Sequence, residues 1–519
     1  MLLLAFAGLA LMIGRAPRAA TPTTPRATTV SAKYLDDPLL VPGAVAAHPE
    51  NIDWMTQWYP LTSTRTLARG KPNALRLLDV PLVAWKAGNG WRVAEDRCPH
   101  RGAPLSYGRL EVNSTLSCSY HGWQFGDSES DAPSYVPTGG CGARLRNHPS
   151  QVCEHGLLWV WPKPAAIGSV EAFEAYAKPL PVDHLPAPDC VVTDWTVNRV
   201  PIPWASLLEN TLDDAHGVHA HHGLAGLDRA LARPASQTRS GESGAGESFA
   251  AWVNVSGPLI ASDLAGRVDA DSVESTWINS YRFLAPHRTT VRFGPAYRAE
   301  GFLVPTAADE TLLVSAAFSV PGCAAVRPVP PRAPTPSAAA LTLDHARHAP
   351  RRPGLGGNLL KAAQRANPFL TAILHRTGVK IVCQDAVLAE ADGLDDLRGE
   401  RWTGERTSGG LTASDGAVVR LRKWLRRSGG PPLKPTEKSD VRRWRARHKI
   451  SVWEMHTRDC PTCRRAHDDA EATAKVLLVA AAAAAASGEL AAAVTLLMTS
   501  ELSRRTALWF ETEDVKFDR

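Results

Sequence analysis

The densest group of chemically active side chains lies in residues 209–223, where four histidines and three carboxylates stand within one short stretch. Neutral imidazole and carboxylate together suit a non-haem iron. Residues three or four apart share a helix face, so His216 pairs naturally with Asp213 or with His219. His216 and His221 converge only if the helix ends or carries a π-bulge between them, and a glycine directly follows His216. The local spacing therefore leaves the ligand pair open.

Two short loops further upstream carry a second set of metal-binding side chains. Cys98-Pro-His100 and Cys118-Ser-Tyr-His121 each offer one thiolate and one imidazole. This pairing is typical of a Rieske [2Fe-2S] centre, in which two cysteines bind one iron and two histidines bind the other. A structural zinc site is the alternative, although zinc sites usually place two cysteines in one loop. An electron relay of the Rieske kind needs an acceptor, and the downstream histidine-rich stretch is the natural one.

The elements around these residues predict an α+β protein. Short alternating runs between glycine and proline predict an all-β domain over residues 46–165, around the two loops. Prolines throughout 177–188 predict a linker. Strand-like runs, glycine-rich turns and helical patterning then predict a catalytic domain of antiparallel sheet and helices over 190–430. Within it, 325–357 is rich in proline, arginine and alanine, which indicates a flexible insertion. Residues 440–519 contain a cysteine pair and a helical tail.

The composition limits the classes of function and suggests a leader. The formal charge of +6 is spread along the 519 residues, so no nucleic-acid partner is expected. The nine cysteines do not form a regular disulfide framework. The segment Met1–Ile13 is apolar but shorter than the roughly 20 residues that span a bilayer. Residues 1–45 are otherwise basic, hydroxyl-rich and free of acids before Asp36, which predicts an organelle transit peptide; a secretory signal is the alternative.

Three further motifs lie downstream of the histidine-rich stretch. They are Val382-Cys383-Gln384-Asp385, the segment from Ser414-Asp415 to Leu425, and the segment His456-Thr-Arg-Asp-Cys460-Pro-Thr-Cys463. With the loops and histidines above, they resemble the pheophorbide a oxygenase group of Rieske non-haem iron oxygenases in plants and algae. That group includes a Rieske component of the inner-envelope protein translocon and a protochlorophyllide-associated relative. The resemblance covers residues 50–470.

The resemblance implies two metal centres and a ring-shaped oligomer. A [2Fe-2S] cluster would be bound by Cys98, His100, Cys118 and His121. A mononuclear Fe(II) would be bound by His216, His221 and Asp385, with Asn210 and Asp213 as further catalytic residues. Asp213 matches an acid that connects an iron-binding histidine to a cluster histidine of the neighbouring subunit, which implies a homotrimer. Spacing alone does not exclude Glu390 or Asp392 as the third iron ligand.

The tail departs from the resemblance. Cys460 and Cys463 would form a redox switch addressed by thioredoxin; an inert surface pair and half of a zinc site are the alternatives. Residues 476–486 and 490–498 are each too short to span a bilayer. Together they would form one poor membrane span that buries Glu489, or instead an amphipathic helical hairpin.

The resemblance also implies an activity. The chain would be a plastid oxygenase that uses O2 and electrons from ferredoxin to oxygenate a chlorophyll-derived tetrapyrrole, either pheophorbide a or a chlorophyllide. The alternative is a redox-sensing Rieske component of an envelope protein-translocation complex, which has no turnover. A complete set of iron ligands favours the enzyme, because a sensor has no need of an open iron site.

Overall fold

The computed structural model describes residues between 52 and 514. The described residues are 52–88, 90–126, 130–137, 139, 142–182, 185–186, 188–191, 194–213, 216–222, 224, 236–242, 251–256, 278–293, 297–319, 364, 367–396, 418, 421–422, 424–425, 428–433 and 449–514. The predicted leader (1–45) and the predicted insertion (325–357) lie outside them.

The N-terminal part is built from short antiparallel strands. Their order in the described residues is β1-β10-β9, β2-β3-β4-β8 and β5-β6-β7. In β3 the run 82–85 is buried, because neighbouring elements cover both faces of the strand. The bounds are β1 (Tyr59–Ser63), β2 (Asn73–Leu77), β3 (Val80–Ala87), β4 (Gly90–Glu95), β5 (Arg109–Leu110), β6 (Leu116–Ser117), β7 (Gln124–Phe125), β8 (Asn147–His148), β9 (Ser150–Val152) and β10 (Leu157–Val160).

A seven-stranded antiparallel sheet follows, in the order β11-β17-β16-β15-β14-β13-β12. Its longest strands, β16 and β17, pair from Tyr297 opposite Ser319 to Ala307 opposite Glu310, with one irregularity after Pro305. The bounds are β11 (Thr196–Val200), β12 (Ser236–Glu242), β13 (Ala251–Ser256), β14 (Ile278–Leu284), β15 (Arg288–Phe293), β16 (Tyr297–Ala307) and β17 (Glu310–Ser319).

One hydrophobic core joins the N-terminal strands to this sheet. Trp159 and Phe302 contact edge to face within it, with ring centroids 5.2 Å apart. Backbone hydrogen bonds strengthen the junction, because the amides of Leu78 and Asp79 donate to the carbonyls of Pro305 and Thr306 at 2.9 and 2.8 Å. The N-terminal strands and the sheet therefore belong to one packed body.

Six helices accompany the strands in the described part of the chain: α1 (Val170–Ala177), α2 (Trp204–Leu212), α3 (His216–Ala220), α4 (Pro368–Asp396), α5 (Pro461–Ala486) and α6 (Leu490–Glu511). A short π-helical segment, Trp453–Thr457, precedes α5. Helix α2 is buried on almost every side and packs with α4 and with residues 421 and 425. A small sheet of β18 (Lys449–Ser451) and β19 (Thr512–Asp514) closes the tail. The predicted α+β class, with a β-rich N-terminal part and a helical tail, is confirmed.

The tail forms a helical hairpin. Helix α5 ends at Ala486, α6 begins at Leu490, and the two pack along their length through small side chains. The Ser500 hydroxyl, for example, donates to the carbonyl of Ala474 at 2.7 Å. The apolar stretches are thus separate helices rather than one continuous span. Among the described residues, no helix is long and apolar enough to cross a membrane.

A buried ion cluster in the sheet gives the first prediction. The Glu300 carboxylate is fully buried; it accepts from Arg288 Nε at 3.1 Å and from the Thr290 hydroxyl at 2.9 Å, and it also pairs with Arg298. Glu300→Gln leaves the arginines without their carboxylate, and we expect the free energy of unfolding to fall by about 3–5 kcal/mol.

The matched control is Glu501→Gln, which removes an exposed carboxylate that pairs with Arg504 and Arg505 on α6. Exposed pairs contribute only about 0–1 kcal/mol, so thermal unfolding of this variant should stay close to that of the parent protein. Equal shifts in the two unfolding temperatures would contradict the assignment of Glu300 as a buried structural charge.

Candidate iron sites

The two loops that carry the cysteines and histidines of the first site have the same backbone construction. The Cys98 amide donates to the Ala103 carbonyl at 2.8 Å, and the Cys118 amide donates to the Trp123 carbonyl at 2.8 Å. In each loop, the carbonyl of the cysteine accepts from the amide four residues later, at 2.8 and 3.0 Å. The sequence forms these turns because each loop has a glycine at that fourth position.

Those glycines have a backbone conformation that other residues rarely adopt. Gly102 has φ +74° and Gly122 has φ +70°, both in the left-handed region that favours glycine. A Cβ on Gly102 would also lie 3.3 Å from the Arg97 guanidinium. The two glycines therefore let each loop turn back so that cysteine and histidine point to the same side.

The side chains of the two loops meet. The rings of His100 and His121 lie 4.6 Å apart, and His100 stacks on Trp123 at 4.7 Å. The Nδ1 atom of His100 is buried without a hydrogen-bond partner among the described residues, which is the environment of a metal-binding nitrogen. Burial, with the nearby Cys118 thiol, raises the pKa of Cys98 to about 11, so its thiolate needs a cation beside it. This set fits a [2Fe-2S] cluster with one iron on the cysteines and one on the histidines.

The histidine-rich stretch is not one regular helix. Helix α2 ends at Leu212, and Asp213 has extended backbone angles of φ −86° and ψ 107°. A new helix, α3, begins at His216 and ends at Ala220, immediately before His221. The expected irregularity between the two histidines is thus a helix end. It does not fall at Gly217, the glycine that directly follows His216, because this residue lies inside α3 without a positive φ.

His216 and His221 converge on a carboxylate from helix α4. The Nε2 atoms of His216 and His221 lie 3.4 and 3.0 Å from the same oxygen, Oδ1 of Asp385. The ligand atoms of the three residues all lie within 4.8 Å of one another. His221 and Asp385 are buried, and His216 is half-buried. Two imidazoles and one carboxylate on one side of an ion form the facial triad of non-haem Fe(II) sites.

Hydrogen bonds at the opposite ring nitrogens set the orientation of both histidines. His216 Nδ1 donates to the backbone carbonyl of Asp213 at 2.5 Å, and the Asp213 carboxylate lies 3.7 Å away. His221 Nδ1 donates to the side-chain oxygen of Gln384 at 3.1 Å. Each bond places the proton on Nδ1 and leaves the lone pair of Nε2 for a metal. Asn210 Nδ2 also donates to Asp385 Oδ1, at 3.4 Å.

The pKa shifts of His216 and Asp385 both favour a positive charge at this site. Burial lowers the pKa of His216, but the hydrogen bond and charge of Asp385, with Asp213, outweigh it, so the pKa is raised. Burial raises the pKa of Asp385, but hydrogen bonds from the two histidines outweigh it and lower the pKa below its usual value. Without a metal, the site therefore holds a carboxylate beside a histidine that readily binds a proton.

Among the described residues, the remaining side chains of the stretch are not part of the triad. Glu209 makes a two-pronged ion pair with Arg422, at 2.7 and 3.0 Å, which ties α2 to the segment after α4. His219 is exposed, and neither it nor His222 belongs to a group of metal-binding side chains among the described residues. The side chains of Glu390 and Asp392 lie outside the described residues.

Sequence reasoning assigned no role to three side chains that the structure places at binding groups. Gln384 is the hydrogen-bond partner of His221, and its position beside Asp385 was the available signal. His375 and His456 are buried together with Cys460 and Cys463. His456 is near the cysteine pair in sequence, but nothing local connects His375 with it.

Comparison with known proteins agrees with the first site. Residues 57–147 match the family model described as "Rieske [2Fe-2S] domain". The chain is 26% identical to flavonoid 8-hydroxylase 2, chloroplastic, of Ocimum basilicum, over 80% of this chain and 74% of that one. It is 32% identical to pheophorbide a oxygenase, chloroplastic, of Oryza sativa subsp. japonica, over 41% of each chain. It is 33% identical to protochlorophyllide-dependent translocon component 52, chloroplastic, of Arabidopsis thaliana, over 34% of this chain and 32% of that one.

The matched segments thus span less than half of the last two relatives. Among solved structures, the oxygenase in the carbazole-bound oxygenase and ferredoxin complex of carbazole 1,9a-dioxygenase is 16% identical, with a TM-score of 0.48 over 74% of this chain and 91% of that one. The matched Rieske domain, the relatives and the two sets of candidate ligands are similar to those of one class, the Rieske non-haem iron oxygenases with a [2Fe-2S] cluster and a mononuclear iron. Within that class, the predicted resemblance to the pheophorbide a oxygenase group is confirmed.

The convergence on Asp385 predicts which variant loses the mononuclear iron. Asp385→Ala removes the carboxylate that both histidines face, and we expect the mononuclear iron to be lost while the [2Fe-2S] cluster stays. Iron and acid-labile sulfide, measured on the same sample, separate the two. Asp392→Asn is the matched control, since it changes the neighbouring acid of α4 and should keep all the iron. Full mononuclear iron in Asp385→Ala would remove this residue from the site.

The raised pKa of His216 predicts how iron binding depends on pH. Iron needs the unprotonated Nε2, so protons compete with the metal as the pH falls through the pKa of this histidine. Because that pKa lies above the usual histidine value of about 6.5, we expect the affinity for Fe(II) to fall already as the pH is lowered toward about 6.5, above the range in which an ordinary histidine takes up its proton. Anaerobic Fe(II) titrations at a series of pH values test this. A constant affinity down to about pH 6.5 would contradict it.

Proposed function

We propose that the chain is a chloroplast oxygenase that takes electrons from a ferredoxin and uses O2 to oxygenate a chlorophyll-derived tetrapyrrole. The observation that carries this proposal is the convergence of His216, His221 and Asp385 in a chain that also has a complete set of cluster-binding side chains. A cluster alone can relay electrons. A second, open metal-binding triad gives those electrons a place to be used, because a facial triad leaves coordination positions free for O2.

The protein's own residues hold the iron-binding side chains and orient them for the metal. When bound, the mononuclear iron supplies reductive activation of O2 next to the substrate. Asp213 and Gln384 fix the imidazole rings, and Asn210 holds the carboxylate of Asp385. The buried Glu209–Arg422 ion pair fixes helix α2, whose end supplies Asp213. These contacts place the ligands without a rearrangement when the metal binds.

The surface beside the cluster loop supports an acidic electron donor. An open cavity of about 460 Å³ is lined by Cys98, His100 and the exposed side chains that we call the arginine patch: Arg97, Arg101, Arg144 and Arg146. Arg146 also pairs with Glu95 at 3.1 Å. Arginines of one sign around a redox centre attract an acidic electron-transfer protein and align it for transfer. A ferredoxin with an acidic face fits this surface.

The connection between subunits is part of the same proposal. Asp213 stands at the end of α2 and contacts His216 from outside the triad. An acid at this place can accept a hydrogen bond from a cluster histidine of a neighbouring subunit and so connect the two centres. We propose a homotrimer on this basis, and sedimentation of the full chain measures it directly.

The relatives support two substrate classes. The pheophorbide a oxygenases are about one-third identical over less than half of their length, which supports a tetrapyrrole. Flavonoid 8-hydroxylase 2 is less similar at 26% but matches over 80% of this chain, which supports a flavonoid as the second candidate. Both classes are large conjugated ring systems. The alternative of a redox component in a translocation complex has support from the translocon relative, but it leaves the iron triad without a role.

The deciding experiment measures O2 consumption by the purified, cluster-reduced full chain in a single turnover. We expect stoichiometric O2 uptake and an oxygenated product with pheophorbide a or a chlorophyllide, and none in the Asp385→Ala variant. Product from a flavonoid and from no tetrapyrrole would transfer the proposal to the second class. Neither O2 uptake nor product with any of them would overturn the oxygenase.

The arginine patch gives a separate prediction on the donor. Arg101→Glu with Arg144→Glu reverses two charges beside the cluster, and we expect the rate of reduction by ferredoxin to fall by about 10-fold or more at low salt. Reduction by dithionite, a small reagent, should not change. Arg69→Glu is the control, since this exposed arginine lies in the turn between β1 and β2, outside the patch. Equal ferredoxin rates in the parent and double variants would contradict docking at this surface.

Membrane association is supported by the hairpin surface. Val476, Val479, Leu490, Val494 and Met498 are exposed near the turn between α5 and α6. We propose that this end of the hairpin contacts a membrane surface. Flotation of the full chain with vesicles of chloroplast lipids tests the contact, and recovery of all the protein in the lipid-free fraction would contradict it.

A further inference from the structure

A second group of metal-binding side chains lies away from both iron sites. His375, His456, Cys460 and Cys463 are all buried, and their ligand atoms lie within 4.8 Å of one another. His375 stands ten residues before Asp385 on α4, which is about 15 Å along the helix axis. The group is therefore separate from the mononuclear iron site, and the cluster-binding loops share none of its residues.

The separations between these atoms match a tetrahedral metal. Cys463 Sγ lies 3.3 Å from His456 Nε2, Cys460 Sγ lies 3.4 Å from His375 Nδ1, and Cys463 Sγ lies 3.9 Å from that nitrogen. A zinc with bonds of about 2.3 Å to sulfur and about 2.0–2.1 Å to nitrogen separates its ligands by about 3.3–3.8 Å. We propose that His375, His456, Cys460 and Cys463 form a structural Zn²⁺ site.

Neighbouring backbone groups orient these side chains toward a common point where a metal could bind. His456 Nδ1 donates to the carbonyl of Val197 in β11 at 3.1 Å, which leaves the Nε2 lone pair facing the Cys463 sulfur. His456 itself sits in the π-helical segment 453–457, and such segments often occur at functional sites. Cys460 caps α5, and Pro461 begins the helix, so that the two cysteines project from its first turn.

The burial of both cysteines favours a zinc site over a thiol switch. Cys463 has no exposed surface, and Cys460 is 8% exposed. A thioredoxin would need direct contact with one of these sulfur atoms, so the hairpin would have to open first. Two imidazoles facing two thiols are not needed for a disulfide, whereas they complete the four ligands of a closed structural zinc site.

The site would connect the tail to the helix that supplies Asp385. His375 belongs to α4, His456 to the π-helical segment, and the cysteines to the start of the hairpin. The neighbouring Arg376 reinforces the junction, since it is fully buried, pairs with Glu513 and donates to the Trp509 carbonyl at 2.6 Å. A zinc at this place prevents α4 from sliding along its axis. It therefore holds Asp385 in contact with His216 and His221.

The first test is the metal content of the full chain as purified. We expect about one zinc per chain beside a complete [2Fe-2S] cluster, which is quantified by acid-labile sulfide and by its electron paramagnetic resonance. X-ray absorption at the zinc edge should show two sulfur and two nitrogen neighbours. Iron already occupies the cluster cysteines in such a sample, so a zinc with two sulfur neighbours lies outside the cluster loops, and the variants below decide whether it lies at Cys460 and Cys463.

Variants locate the zinc. Cys460→Ser with Cys463→Ser, and His375→Ala, should lose the zinc and keep the cluster signal. Cys98→Ser is the converse control, since it should lose the cluster and keep the zinc. Cys383→Ser changes a buried cysteine of α4 outside the group and should keep both metals.

Three results would overturn the site. They are a cluster-complete parent protein without zinc, zinc that persists in the double cysteine variant, and a Cys460–Cys463 disulfide in protein isolated with its thiols blocked. The first and third use the parent protein, so they decide the question even where a variant does not fold. None depends on oxygenase activity, so the zinc site and the proposed function stand or fall separately.

Discussion

The central interaction of this protein is a buried carboxylate oxygen shared by two imidazoles. Oδ1 of Asp385 lies within 3.4 Å of the Nε2 atoms of both His216 and His221. A buried carboxylate is costly unless it is paired, and two histidines crowded on one oxygen are stable only with a positive charge between them. Protons can supply that charge, as the raised pKa of His216 shows, and a divalent iron supplies it better. The end of α2, the start of α3 and the position of α4 all serve this one contact.

Helix α4 is the element on which that contact depends. Its 29 residues carry Asp385 and Gln384 toward the histidines and His375 toward the tail. The helix is fixed in the middle by packing on α2 and, ten residues earlier, by contacts with the hairpin and with β19. A small shift of a helix along its axis would move a ligand by more than a metal site tolerates. This explains why a catalytic helix is fixed from both a sheet-side core and a C-terminal tail.

The two candidate iron sites differ in how far apart their residues lie in the sequence. Each cluster loop is local: cysteine, histidine and a left-handed glycine stand within five residues, and hydrogen bonds within the loop close the turn. The mononuclear site combines residues 175 positions apart, such as Asn210 and Asp385. The contrast also separates what each part does. Local loops hold a cofactor of fixed size, whereas the second site has to leave space for O2 and a substrate, which only packing between distant elements can shape.

The sequence by itself determined the α+β class and predicted the cluster ligands and the need for a second centre, because loop motifs and strand periodicity are local properties. Local spacing alone could not decide between His219 and His221, since that choice depends on where α3 ends. The glycine that follows His216 did not mark the break, since Gly217 lies inside α3. Only the tertiary structure brought Gln384 to His221 and His375 to the cysteine pair. The physical reason is that local spacing constrains residues within one or two turns, whereas a metal site at an interface depends on how whole helices pack.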